Sequence, residues 1–463
     1  MSALPTNYLA PTGREEAWRF TPMKRIAGLH DPATQVADRI SIALSGAVRP
    51  GFSIDKVKAS ELPAKSSTDD AVIQRVRATV DEVTHLQIAK EALVAEPIIL
   101  TRTSGESSEF SRTIITAGAH SKSTVIVENS GNATLGEEIE IRLEAGSNLT
   151  FITLQEWSEN SVHLGRHHAI VGRDATFNSI TVTVGGSLVR LLPTVEYSDQ
   201  GGSAELLGLY FATDGQHLEH RVHVEHGIPH AKSRVTYKGV LAGDQARTVW
   251  IGDVFIRGNA EGTDTYELNK NLLLTDGARA DSVPNLEIET GEIVGAGHAS
   301  TTGRFDDEQL FYLMSRGIPM AEARRLVIRG FFTEIINKIG NEVIEERLMS
   351  RIDSQLEKVG AEMTSTQIAF STLVDGKPQK ISLGENDVCV ARIGEEVFAV
   401  ADTCTHSDAS LSEGDVSNHK IECWLHGAEF DLRTGEAVAP PAVQALETFE
   451  VRRDGDTVTI SQK

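Results

Sequence analysis

One pattern limits what this chain can become more than any other. The words AGAHSKSTVIV, AGSNLTFITL and GRDATFNSITV each set a Gly-polar turn before a run of β-formers, and Gly118, Gly146 and Gly172 lie 28 and 26 residues apart. GGSAELLGLYF, GDQARTVWIGD and GARADSVPNLEI repeat the theme less regularly. Residues 138–143 alternate, with Ile139, Ile141 and Leu143 on one face and Glu140 and Arg142 on the other. That is the period-2 signature of a strand. No convincing helix interrupts residues 97 to 293. A turn-plus-strands unit at this spacing predicts a stacked β-helix, with a large β-sandwich as the alternative.

Length and charge narrow the function. At 463 residues the chain exceeds one hydrophobic core, so two or three domains are expected. A formal net charge of -22 argues against nucleic acid or an anionic membrane as partner. The N-terminus has no apolar signal core and no run reaches bilayer length, which predicts a cytoplasmic protein. Three cysteines fit a reducing compartment. No G-x-x-x-x-G-K-[ST] word occurs, so any ATP hydrolysis must belong to a partner.

Read in order, residues 1–95 are expected to form a helical or mixed lobe, with short helical sequence at 15–20 and helix-forming composition over 71–93. The β core follows over 96–300. The stretch 262–317 spans its end: it opens with strand-like runs at 272–274 and 286–288, parted by turn chemistry at Asp276-Gly277 and Pro284-Asn285, and closes as helix-like sequence. His298 stands alone in the Gly-rich turn GAGHAS. Residues 301–359 read as helical. Ala323, Leu326, Val327, Phe331 and Ile335 make one apolar stripe, and Ile344, Leu348, Ile352 and Leu356 make another. Such stripes serve either mutual packing or docking. Residues 360–366 read as a linker, and 367–463 as a separate all-β domain.

That last domain carries the redox chemistry. CTHSDASLSEG opens at Cys404 and CWLHGAEFDLRTGEA at Cys423, giving C-x-H, sixteen residues, then C-x-x-H. Cys404 and Cys423 can hold one iron as thiolates while His406 and His426 hold a second as neutral imidazoles. The same four ligands suit tetrahedral zinc, and spacing alone leaves both open. The flanking words resemble Rieske ferredoxins across 367–463, which implies a [2Fe–2S] cluster. High-potential Rieske proteins staple the two loops with a second cysteine pair, and Ala409 and Leu425 stand at those positions here. Ala428 and Phe430 replace the hydroxyls of that group, so the resemblance implies a low-potential centre. Trp424 stands where proline is usual, which puts loop rigidity in question. Cys389 reads as an inert buried thiol. His217, His220, His223, His226 and His230 read as structural or surface residues, since no recognisable metal shell completes them.

The words YELNKNLLLTDGARADSVPNLEI, HASTTGRFDDEQLFYLMSRGI, PMAEARRLVIRGFFTEI and GREEAWRF resemble SufD, a subunit of the SufBCD iron–sulfur cluster assembly machine, over roughly residues 10 to 350. The resemblance implies a mainly β fold: a right-handed parallel β-helix core with helical N- and C-terminal lobes. It implies a SufB partner at the end carrying His298 and the SufC ATPase on 318–359. His298 matches a histidine at the SufB interface implicated in assembling a transient cluster; the family often has cysteine two residues earlier, where Ala296 stands. The chain then reads as a scaffold subunit without catalysis of its own, its Rieske domain feeding electrons to the nascent cluster. A ferredoxin reductase is a further expected partner. The rival is a Rieske-type oxygenase or electron-transfer component, which as an oxygenase needs a 2-His-1-carboxylate iron site.

Overall fold

The computed structural model describes residues 4, 8–38, 42–62, 66–103, 108–304, 307–383 and 386–462. The chain divides into two compact units, 1–352 and 353–463.

The first unit is a parallel β-solenoid. Successive strands alternate between a ten-stranded and a nine-stranded sheet, so each turn contributes one strand to each. Thr134, Val162, Leu188, His217, Arg247 and Arg279 stand in register on one sheet, at steps of 28, 26, 29, 30 and 32 residues. The turns lengthen toward the C-terminal end, which is why the repeat fades there. The sandwich alternative does not hold, because sandwich sheets are antiparallel and these pairings are parallel.

Registered pairing stacks like on like inside. Ala117 pairs with Leu143, Leu143 with Val171 and Val171 with Tyr197, all buried. The Tyr210 and Tyr237 rings lie over Gly239 and Gly208, where a Cβ would strike them. These glycines make room for aromatic rings in the lumen rather than for a turn.

The N-terminal lobe is mixed. Residues 71–93 do not form one helix: α1 spans Ala71–Thr79, and Glu82–Ile88 is a strand. Asp70 caps α1 by accepting from the amides of Val72 and Ile73. The strand pairs antiparallel with Phe52–Lys58 and parallel with Ser108–Ala117, so the solenoid starts before residue 96. EVTHLQI alternates, and pairing on both sides overrides its helix propensity.

Two further expectations are corrected at the other end. Pro284 and Asn285 do not turn the chain; they lie in strand Arg279–Ile288. Its outer edge has no strand partner among the described residues, so a missing amide is tolerated there. His298 is not in a turn but in the last strand, Gly295–Arg304.

Helices α2 (Asp307–Ser315), α3 (Met320–Ile336) and α4 (Glu342–Thr364) follow. Lys238 on the nine-stranded sheet donates to Phe331 O at 3.0 Å and Glu334 at 2.7 Å, pinning α3. Arg347 of α4 reaches Glu128 and Glu156. The apolar stripes face inward in large part, with Ala323, Ile335, Ile344, Leu348 and Ile352 buried. The expected linker is not irregular: α4 runs through Thr364 and strand Ser365–Ala369 starts at once.

The second unit builds three small antiparallel sheets. Phe370, Val388, Val390, Phe449, Val458 and Ile460 fill one core. Cys404, Cys423, Ala428, Phe430 and Leu446 share another with Cys389.

Candidate metal centre and the open solenoid end

Two short loops carry the four ligand candidates. The first leaves strand Glu396–Ala401 and folds around Asp402, which accepts from Ser412 N at 2.8 Å and from the Ser410 hydroxyl. Cys404 N donates to Ala409 O at 2.9 Å, closing the loop. The second joins strands Lys420–Glu422 and Glu429–Asp431. There Cys423 N donates to Ala428 O at 2.8 Å and Gly427 N to Cys423 O at 2.9 Å. Gly427 takes a φ of 72°, which side-chain-bearing residues rarely adopt. These bonds fix the second loop despite Trp424. The Thr405 hydroxyl ties the first loop to Gln444 O at 2.8 Å.

The result is asymmetric. Cys404 and Cys423 are 3% and 1% exposed and carry no disulfide. His406 and His426 are exposed at the tips, their rings edge to face with centroids 4.9 Å apart. Two inward thiols and two outward imidazoles suit an iron pair with two protein ligands on each metal. Ala428 and Phe430 are fully buried and bring no side-chain donor. Ala428→Ser is therefore expected to raise the reduction potential. A new hydrogen bond of about 1–1.5 kcal/mol to the reduced state corresponds to about 40–65 mV for one electron. Protein-film voltammetry of the two forms reads this directly.

Cys389 is fully buried in strand Asn386–Ile393, and burial pushes its thiol up, so it is inert. The histidine run also packs inside or against the solenoid. His220 stacks on Tyr210 at 5.1 Å and meets the Thr183 hydroxyl at 3.0 Å; burial pushes it down to about 3. His226 stacks on Tyr197, and burial lowers it to about 4. Both are neutral core groups. Among the described residues, no three His, Cys, Asp or Glu side chains converge as a mononuclear ion requires.

His298 lies in the other unit. It pairs in register with Glu267, so both side chains belong to the inner face, and it is exposed because no strand follows among the described residues. Ser300, two residues on, meets Ser282 of the opposite sheet at 2.7 Å. Sequence reasoning missed Glu267 altogether. It is 1% exposed, and neither carboxylate oxygen has a hydrogen-bond partner among the described residues. Burial first, and then the charge of Asp253, push its carboxyl up to about 8. Missed too was the polar lining deeper in. Glu137 there meets His163 at 3.1 Å and pairs with Arg102 at 2.5 Å. Burial opposes the Glu137 charge, but Arg102 and the two histidines His163 and His167 hold its carboxyl well below the usual range.

Comparison with known proteins follows the same division. Residues 99–331 match the SufBD core domain of the SUF iron–sulfur cluster assembly system, and 366–450 match the Rieske [2Fe-2S] domain. An iron–sulfur cluster assembly SufBD family protein of Mycobacterium tuberculosis is 47% identical over 357 residues, covering 75% of this chain and 89% of the relative. SufD of Escherichia coli is 26% identical over 382 residues, covering 75% and 89%. The ferredoxin of carbazole 1,9a-dioxygenase from Nocardioides aromaticivorans is 31% identical, covering 22% of this chain and 99% of that one, at a TM-score of 0.21. The Rieske domain implies a [2Fe–2S] cluster, and the loops described above fit one.

Proposed function

Because this chain belongs to the SufBD family of iron–sulfur cluster assembly proteins and ends in a Rieske domain, we propose that it is a SufD-type scaffold subunit with a built-in electron donor. The observation that carries the reading is the uncovered end of the solenoid. Strands Arg279–Ile288 and Gly295–Arg304 end their sheets, Ile288 and Val294 are exposed there, and His298 sits on the inner face. Open parallel edges with apolar neighbours invite another β-solenoid. A SufB-type subunit is the partner we assign, with His298 at the shared site where a transient cluster forms.

A SufC-type ATPase is the second partner, in a cytoplasmic complex. The apolar stripes of α3 and α4 are largely used in packing, so its dock lies on the apolar surface they leave bare, which includes Leu326 of the α3 stripe. Phe311, Tyr312 and Met314 of α2 and Met320 and Leu326 of α3 are exposed. That is more bare apolar surface than a solvated helix pair needs. Phe311→Asp combined with Leu326→Asp is expected to abolish copurification of the ATPase while the SufB-type subunit still copurifies. Retention of the ATPase by this variant sinks the dock, and failure of either partner to copurify with the unaltered chain sinks the SufD-type reading.

In the Rieske domain, Cys404 and Cys423 hold one iron and His406 and His426 the other. When bound, the cluster supplies single electrons. The exposed imidazoles put the ligand tips where a partner surface or a ferredoxin reductase can approach. Ala428 and Phe430 keep donors away from the buried side and so keep the centre reducing.

A further inference from the structure

Glu267 has no structural reason to be an acid. Its side chain lies on the inner face of strand Asp264–Leu273, one strand spacing of about 4.8 Å beneath the last rung. Gly252 opposite it has no side chain, and a Cβ there would strike both Glu267 Oε2 and the Trp250 ring. The lumen therefore holds a carboxyl-sized space against an indole, and the carboxyl makes no hydrogen bond among the described residues. A buried polar group left unpaired costs about 1–3 kcal/mol, which a leucine would avoid. Among the described residues, the inward groups around it include no lysine or arginine. Val235 and Tyr237 lie beneath, Ser282 and Pro284 on the opposite sheet, and His298 above; Asp253 adds a like charge.

We infer that Glu267 is a proton donor for chemistry at the open end of the solenoid, delivering a proton to sulfur as it is reduced there. The inference rests on the scaffold reading above. Sulfur carried as a persulfide on a partner thiol, R–S–S⁻, takes two electrons and one proton. The S–S bond breaks, the carrier leaves as R–S⁻, and the outer sulfur leaves as HS⁻. The electrons come from a one-electron reductant in two steps, and the proton comes from the Glu267 carboxyl, which regains it from water at the mouth. A neutral acid in an apolar wall is suited to this, because its charge develops only as the proton departs.

The test uses the full chain in complex with its SufB-type and ATPase partners, the SufB-type subunit loaded with persulfide by polysulfide treatment. Dithionite supplies the electrons, so the outcome does not depend on the Rieske domain. Glu267→Gln keeps the shape but has no acidic proton. It is expected to slow persulfide-fed cluster formation by about a hundredfold, to flatten its pH profile and to lose its solvent deuterium isotope effect. Cluster formation from ferrous iron and added sulfide, which needs no S–S cleavage, should proceed at the unaltered rate. Infrared difference spectra should show a protonated carboxyl band in the unaltered chain that is missing in the variant. An unchanged persulfide-fed rate overturns the inference. So does an equal loss in the sulfide-fed assay, which would make Glu267 structural or an iron ligand. Failure of the scaffold reading shows separately, as an unaltered chain that forms no complex.

Discussion

Cys423→Ser is expected to abolish the Rieske EPR signal, with its nitrogen couplings from His406 and His426, and to slow cluster assembly driven by a physiological reductase. Cys423 is 1% exposed and sits in a loop closed by its own amide, so serine replaces the thiol without disturbing the exposed surface. Serine is a poor substitute for the soft thiolate that iron–sulfur sites use. The solenoid lies in a different compact unit and should keep its fold, its partners and its thermal unfolding. Covalent attachment makes delivery of electrons intramolecular, and losing it should cost roughly a hundredfold in rate, the low end of the gain from tethering. Added dithionite should restore the rate. If the variant assembles clusters as fast as the unaltered chain without dithionite, the domain is not the donor. A colourless, zinc-filled domain in the unaltered chain would remove the premise altogether.

What the sequence revealed and what it hid follow from the range of the interactions. The Rieske domain was legible because each candidate ligand pair lies on one tight loop, where spacing and loop closure are local: Cys404 bonds Ala409, and Cys423 bonds Ala428. The solenoid was legible because its turns repeat, and Gly118, Gly146 and Gly172 lie in successive turns at one corner, although Gly146 stands two residues later in register than the other two. His298 was misplaced because GAGHAS has the composition of a turn. In a terminal strand that packs against little, small residues carry no penalty large enough to show. Residues 82–88 were read as helix because what makes them a strand lies at 52–58 and 108–117. The linker at 360–366 was a matter of composition, and GAEMT has enough helix formers to extend α4 through Thr364. The polar lumen was invisible for a different reason. Arg102, Glu137, His163 and Glu267 occupy inward positions, and in an alternating strand a polar residue is read as outward. Only the register shows that these side chains point inside, where Arg102, Glu137 and His163 meet.

Arg190→Met is expected to cost about 3–5 kcal/mol of stability in the solenoid unit. Arg190 is fully buried and joins three segments distant in sequence. Its guanidinium donates to Asp70 at 2.7 Å, to Glu219 at 3.3 Å and to Ala17 O at 3.1 Å, and it lies 3.9 Å over the Trp18 ring. The Thr21 hydroxyl donates to Glu219 at 2.8 Å from the same N-terminal segment. Methionine fills much of the volume but takes the guanidinium from buried Asp70 and leaves Glu219 with only His217 at 3.1 Å and Arg221 at 3.7 Å, and that poorly compensated charge is the larger part of the cost. Glu219→Gln in the same chain should recover part of it, because the orphaned charge is then gone. The unaltered protein should also show the clasp in its acid stability. Burial opposes the Glu219 charge, but His217, Arg190 and Thr21 together lower its pKa to about 2. A depressed carboxyl stabilises the fold fully above the unfolded value of 4.5 and loses that contribution as pH falls toward 2. Across that window Glu219 contributes on the order of 3 kcal/mol. Urea unfolding followed by intrinsic tryptophan fluorescence, from pH 7 down to pH 3, should show a steep loss in the unaltered chain. In Arg190→Met the loss should be shallower, because part of the depression is gone. A single variant that unfolds within about 1 kcal/mol of the unaltered chain would mean that packing, and not the ion cluster, holds the N-terminal segment on the solenoid.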